Sequence, residues 1–306
     1  MLKPIRRLKR ALMSKLIESG APSGGTENPS LAAQLDGHLT FCAIASALKD
    51  GRPFLAGRLG WFETYALGHW DRHGSLTESL KNKMWNTPGI FPATTAEFER
   101  FRESYLLGMA KADLLGLMHC PFEKELITAQ ASQAMLCELS DLEPYFQQQP
   151  WSRLLAGKRV LVIHPFADSI HRQYHSLREK LFFDEHVLPE FDLQVLLPPQ
   201  TMCGNTGGYA SWSEALERLR EKIAERDFDA AIVGCGAYGL PVGAFVKSLG
   251  KPCIHLGGAT QILFGLRGGR WDANPRFRPL INSFWGRPSE EERPPNWESA
   301  EKGCYW

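Results

Sequence analysis

Arg159-Val160-Leu161-Val162-Ile163-His164-Pro165-Phe166-Ala167-Asp168-Ser169-Ile170 passes from an apolar, β-branched run into a turn and on into a helical pattern. Val and Ile favour a pleated strand, and a run with no polar face belongs to a strand covered on both sides. Asp168 or Ser169 is placed to cap the helix that follows, expected over residues 169–181. The transition then repeats. Strand patterns over residues 193–197, 230–233 and 253–256 alternate with helical patterns over residues 213–226 and 241–249 and a short helix after Gly258. Such alternation gives an α/β fold: a Rossmann-like, mainly parallel sheet with helices on both faces. Ligands of these sheets bind outside the carboxyl ends of the strands.

Upstream, residues 31–150 read as a mainly helical N-terminal half, with helices expected over residues 61–69, 95–110 and 123–137 and an apolar helical segment over residues 112–117 that carries Asp113. One strand candidate, residues 53–56, runs straight into Gly57-Arg58-Leu59-Gly60-Trp61-Phe62-Glu63. A strand-to-helix turn of this kind brings backbone amides, a guanidinium and a carboxylate together. Amides and the helix dipole attract an anion, Arg58 suits phosphate oxygens, and Glu63 suits a divalent cation. The blander alternative is an Arg–Glu pair beside a glycine turn.

Three further loops carry the same theme. His164 closes an apolar strand, as a structural histidine or a ligand contact. Gly234, Gly236 and Gly239 satisfy G-x-G-x-x-G, but His255 stands where a dinucleotide site needs an acid, which weakens an NAD-dependent reading. His255-Leu256-Gly257-Gly258-Ala259-Thr260-Gln261 offers bare amides after the next strand, and Arg267, Arg270 and Trp271 follow. Glycine turns on neighbouring strand ends converge on one phosphate-recognising crevice. P-loop, nucleophile-elbow and H-E-x-x-H patterns are absent from the sequence, which disfavours the corresponding kinases and hydrolases.

Bulk composition narrows the partners. Lys3, Arg6, Arg7, Lys9, Arg10 and Lys15 precede the first acid, Glu18, and the rest of the chain holds 29 basic against 34 acidic residues. A mildly acidic body is a poor nucleic-acid binder. Residues 1–18 read as a basic amphipathic helix, either laid on an anionic membrane surface or packed on the body, with residues 19–30 as a linker. The seven cysteines lack C-x-x-C spacing, which fits a reducing compartment. The chain reads as cytoplasmic, with peripheral attachment to the inner face of the membrane as an expectation.

Arg58-x-Gly60-x-x-Glu63, Asn86-Thr87-Pro88-Gly89-Ile90-Phe91, Gly234-Cys235-Gly236-Ala237-Tyr238-Gly239-Leu240-Pro241, the block from His255 to Gln261 and the final Gly303-Cys304-Tyr305-Trp306 together resemble the GT-D-type glycosyltransferases of bacterial surface-polysaccharide and protein-glycosylation clusters. The likeness spans most of the chain after the linker. It implies one transferase domain over residues 31–306, divided into a helical lobe (31–150) and a Rossmann-like lobe (151–306). The donor would be a nucleotide-diphosphate sugar and the acceptor a glycan, a lipid-linked glycan or a glycoprotein. Glu63, Asp113 and His164 become the catalytic candidates. Donor contacts fall to Arg58, Gly60, Asn86, Asp168 and Ser169, to Gly234, Gly236, Tyr238 and Gly239, and to His255, Gly257, Gly258, Gln261 and Arg270. Family members carry an Asp-x-Glu pair associated with Mn²⁺ or Mg²⁺; here Glu63 matches the Glu while Trp61 occupies the Asp position. A noncatalytic nucleotide-sugar or partner-binding module with a degenerate metal motif is the alternative.

Overall fold

The computed structural model describes residues 31–306, so the basic helix expected over residues 1–18 and the linker 19–30 lie outside the described residues. Seven short strands build one sheet: β1 Phe54–Arg58, β2 Leu114–Leu117, β3 Met135–Glu138, β4 Arg159–Ile163, β5 Asp192–Leu196, β6 Ala230–Val233 and β7 Pro252–His255. Their order is β3-β2-β1-β7-β6-β4-β5, and every pairing is parallel. The helices are α1 Gly37–Asp50, α2 Trp61–His73, α3 Glu78–Asn86, α4 Thr95–Ala110, α5 Glu123–Gln130, α6 Leu139–Leu142, α7 Ala167–Leu181, α8 Trp212–Ala224, α9 Gly239–Ser248, α10 Thr260–Leu263 and α11 Gly269–Asp272. No helix among the described residues is long and apolar enough to cross a membrane.

Alternate residues of each strand feed two separate cores, as the pleat requires. Leu55, Leu115, Leu161, Ile163, Ala231 and Val233 face one side and pack against α2, α4, α8 and α9. Phe54, Ala56, Leu114, Val160, Val162 and Ile232 face the other and pack against α1, α7 and the C-terminal segment. Trp212 opens α8 at full burial, edge-on to Phe101 at 5.3 Å and stacked on Tyr238 at 5.3 Å. Side-chain caps set several helix starts. Asp36 accepts from the Leu39 N–H at 2.8 Å, Thr94 from Glu97 at 3.2 Å and Ser211 from Glu214 at 3.1 Å, each contributing about 1 kcal/mol.

The first half departs from its sequence reading. Residues 112–117 and the end of the 123–137 stretch were expected to be helical, yet Leu114–Leu117 and Met135–Glu138 are strands β2 and β3. A four-residue apolar run has no measurable period, so neighbours decide between helix and strand. The supposed helical lobe thus supplies three of the seven strands, and β1 pairs with β7 through Phe54↔Pro252, Leu55↔Cys253 and Ala56↔Ile254. One sheet runs through both segments.

Connections decide where a ligand fits. The chain leaves β1 and β6 for helices on one face, and leaves β4 and β7 for elements on the other. In the order β1-β7-β6-β4, neighbouring connections therefore run to opposite faces, the topology at which ligands of open α/β sheets bind, outside the carboxyl ends of the strands. Asp113 lies at the opposite end. It precedes β2, accepts the Leu55 N–H at 2.7 Å and pairs with Lys247 at 2.7 Å. Removing an acceptor strands a strand-initiating N–H, whereas an amide keeps one. Asp113→Ala should therefore lower unfolding free energy by about 1–3 kcal/mol in urea titrations, and Asp113→Asn by less; equal losses would contradict the hydrogen-bond account.

Candidate active site

Arg58 ends β1 half-buried. Its Nε donates to the Leu59 carbonyl at 3.1 Å and one terminal nitrogen contacts the Met118 sulfur, but it forms no ion pair with a carboxylate among the described residues. Its charge acts on Glu63, Tyr105, Cys120, Glu143, Tyr145 and His255. The strand-end loops meet around it. A Cβ built on Gly257, whose φ is +61°, would lie 3.5 Å from the Arg58 side chain. One built on Gly234 would lie 2.5 Å from the Gly257 carbonyl and 2.8 Å from the His164 ring. The loops after β1, β7, β6 and β4 are thus contiguous.

Proximity does not make every expected contact available. Gly234 is filled by Gly257, Thr260 and His164, and Gly239 lies flat on the His255 ring, where a Cβ would come within 2.0 Å. The Gly60 N–H already donates to the Tyr105 hydroxyl at 2.8 Å. Gly236, at positive φ and exposed, keeps room beside its backbone, whereas Gly257, also at positive φ, is buried against the Arg58 side chain. Gly258 packs on the Tyr305 ring instead.

The remaining donor candidates are engaged elsewhere. Asp168 and Ser169 N–H groups donate to Glu292 Oε1 at 2.9 and 3.1 Å, and the Ser169 hydroxyl donates to the other oxygen of Glu292. The anion at the start of α7 is therefore the protein's own carboxylate. Gln261 is fully buried and donates to the Leu266 and Tyr305 carbonyls at 3.1 and 3.2 Å. Arg270 pairs with Glu301 and stacks over Tyr305 at 4.5 Å. Tyr238 stacks on Trp212 and bonds Thr201 at 2.9 Å through its hydroxyl. The Asn86 main-chain carbonyl accepts from the Cys203 N–H at 2.9 Å, while Pro88 two residues on has its carbonyl beside Gly236. The side chains of Ser169, Tyr238, Gln261 and Arg270 thus bond within the protein, while Asn86 and Asp168 are engaged through their main chains.

Electrostatics sharpen the histidines and acids. Burial pushes His164 down to about 3, and burial with Arg58 pushes His255 down to about 4. Both rings are neutral near pH 7. His164 Nδ1 accepts the Phe166 N–H at 3.1 Å, and His255 Nδ1 lies 3.1 Å from the Val233 carbonyl, to which it donates. Neither is a cation for phosphate, and His164 is too weak a base for the catalytic role expected of it. Burial also raises Glu63, whose carboxylate folds back on Gly60. No group of three or more His, Cys, Asp or Glu side chains among the described residues is placed to hold a metal ion. With Trp61 stacked on Tyr65 at 5.6 Å and Glu63 folded away, the residues present do not form a cage for Mn²⁺ or Mg²⁺.

No family model, curated protein or solved structure matches the chain. Function must be read from the arrangement alone, and one residue in it had escaped sequence reading. Glu143 is 6% exposed, and the charges of Arg276 and Arg58 act on it. In the sequence it stands in Asp141-Leu142-Glu143-Pro144, which looks like a solvated acidic turn; only the packing of Tyr145 toward Ala259, at 3.4 Å, draws it inside. Burial, opposed by Arg276, Arg58 and the Tyr145 hydroxyl, raises its carboxyl from 4.5 to about 7. The folded state thus holds a proton that the unfolded chain releases. The resulting stabilisation is fully present below pH 4.5 and is lost as pH rises through about 7. Comparing urea unfolding across this range, Glu143→Gln should flatten the pH dependence by up to ~3 kcal/mol; an unchanged slope would show that Glu143 titrates normally.

Proposed function

We propose that the chain is a glycosyltransferase that takes a sugar from a nucleotide-diphosphate donor, with the diphosphate across the carboxyl ends of β1, β7 and β6. The observation that carries this reading is Arg58, a half-buried guanidinium without a carboxylate partner among the described residues, packed beside the glycine turn at Gly257. A cation held out of bulk water gains most from an anion that supplies several oxygens in a plane. A nucleoside diphosphate does so, and its negative charge grows as the sugar departs. Stabilisation of that growing charge by a positioned guanidinium is a large catalytic contribution. The acceptor is proposed to be a glycan, a lipid-linked glycan or a glycoprotein, in keeping with the resemblance to GT-D-type enzymes. The binding-module alternative draws support from Trp61 in the position of the family's Asp, and turnover separates it from the enzyme.

Binding of UDP and GDP, followed by calorimetry, and nucleotide release from their sugar conjugates test the reading. Arg58→Ala should weaken nucleotide binding about ten- to a hundredfold, the range for loss of a charge-assisted contact. Arg58→Lys should restore it in part, since an ammonium replaces the charge but not the fork. Nucleotide affinity unchanged in both variants would refute the assignment; binding without release of nucleotide by the unaltered protein would favour the module.

A further inference from the structure

Cys42 is the one exposed cysteine of the seven, the others being buried or half-buried, and the proposed sugar transfer makes no use of it. It lies on α1, whose inner face buries Thr40, Ile44, Ala47 and Leu48. His38, also exposed, stands one turn earlier on the outer face, and side chains four residues apart on a helix lie next to each other. The Cys42 sulfur is 3.7 Å from His38 Nε2. The helix that sets this spacing is secured at both ends, by the Asp36 carboxylate accepting the Leu39 N–H at 2.8 Å and by Gly51 at φ +63°. A pair carried on such an element is held more precisely than one on a loop.

Sulfur and nitrogen at this separation suit a single metal ion. In a tetrahedral zinc site the Zn–S bond is about 2.3 Å and the Zn–N bond about 2.0–2.1 Å, which sets the two donor atoms about 3.6 Å apart. The 3.7 Å between Cys42 and His38 needs little adjustment to reach that value. Two other pairs on helices, His69 with His73 and His171 with His175, have ring centroids 4.5 and 4.3 Å apart. They offer nitrogen alone.

We infer that His38 and Cys42 chelate Zn²⁺, or a divalent ion of similar chemistry, on the outer face of α1. Thiolate and imidazole favour zinc-like ions over Mg²⁺ and Ca²⁺, which take oxygen ligands. On binding, the Cys42 S–H bond breaks and its proton passes to water, while sulfur and Nε2 each give an electron pair to the metal. Nothing is oxidised or reduced. Two side chains leave the remaining positions of the tetrahedron to water, so the site is open to a further ligand, unlike a closed four-ligand structural centre. None of the residues assigned to the sugar donor takes part, and the site stands or falls apart from the transferase reading.

Titration of the untagged, reduced full chain with Co²⁺ tests the inference, because a cobalt–thiolate bond gives a charge-transfer absorption in the near ultraviolet that cobalt on imidazole alone lacks. The band should grow to saturation, fade on addition of Zn²⁺, which ranks above Co²⁺ for such ligands, and persist in excess Mg²⁺. Cys42→Ser should abolish the band. His38→Gln should weaken Co²⁺ binding by about tenfold or more, since loss of even an outer partner of a metal ligand has an effect of that size. Both side chains are exposed, so both variants should melt cooperatively as the unaltered protein does; should one fail to, the other decides. His69→Ala and His171→Ala should leave the band as it was. Absence of a band in the unaltered protein, a band that survives Cys42→Ser, or Co²⁺ affinity unchanged in His38→Gln overturns the site.

Discussion

A parallel sheet hides both faces, and that constraint shapes everything around the candidate site. Residues such as Leu55 and Val162 leave water on opposite sides of the same sheet, so helices must cover both sides. The connections after β1, β7, β6 and β4 therefore alternate between faces, and each strand end opens into a turn with no helix directly above its neighbour. Short glycine turns fit these junctions because loops from adjacent strands nearly touch, as Gly234 does with Gly257. Several glycines that look like ligand cradles are thus explained by protein packing. Arg58 stands out because packing does not satisfy its charge.

The C-terminal segment has the converse role. Glu292 neutralises the amides that begin α7, and Glu301 neutralises Arg270. Tyr305 and Trp306 pack on Trp271 and Phe166 at 5.8 and 5.6 Å, and the Trp306 carbonyl accepts from Gly269 and Arg287. Two plausible anion positions are closed by internal acids, which concentrates unbalanced positive charge at the end of β1.

What the sequence made legible follows from length and period. The helix over residues 95–110 and the strand over residues 230–233 coincide with α4 and β6, because a long amphipathic stretch and a short apolar run between turns each have one good solution. Leu114-Leu115-Gly116-Leu117 had two, and β2 was chosen by its neighbours β1 and β3 rather than by local preference. At the site, Arg58 was legible because a guanidinium beside glycines at a strand end is a local signal. Asp113 misled because helix and strand readings put the same carboxylate at different ends of the sheet. Glu143 left no local trace, since the turn that carries it is drawn in by Tyr145, which reaches Ala259 far along the chain.

The pairing of β1 with β7 joins residues nearly two hundred positions apart. On a ribosome the earlier strand emerges long before its partner, and domains form in the order their segments appear. Until Pro252–His255 arrives, β1 presents an unpaired parallel edge of Phe54, Leu55 and Ala56, the kind of edge on which chains associate wrongly. The strand that carries Arg58 is thus among the first made and among the last to complete its pairing.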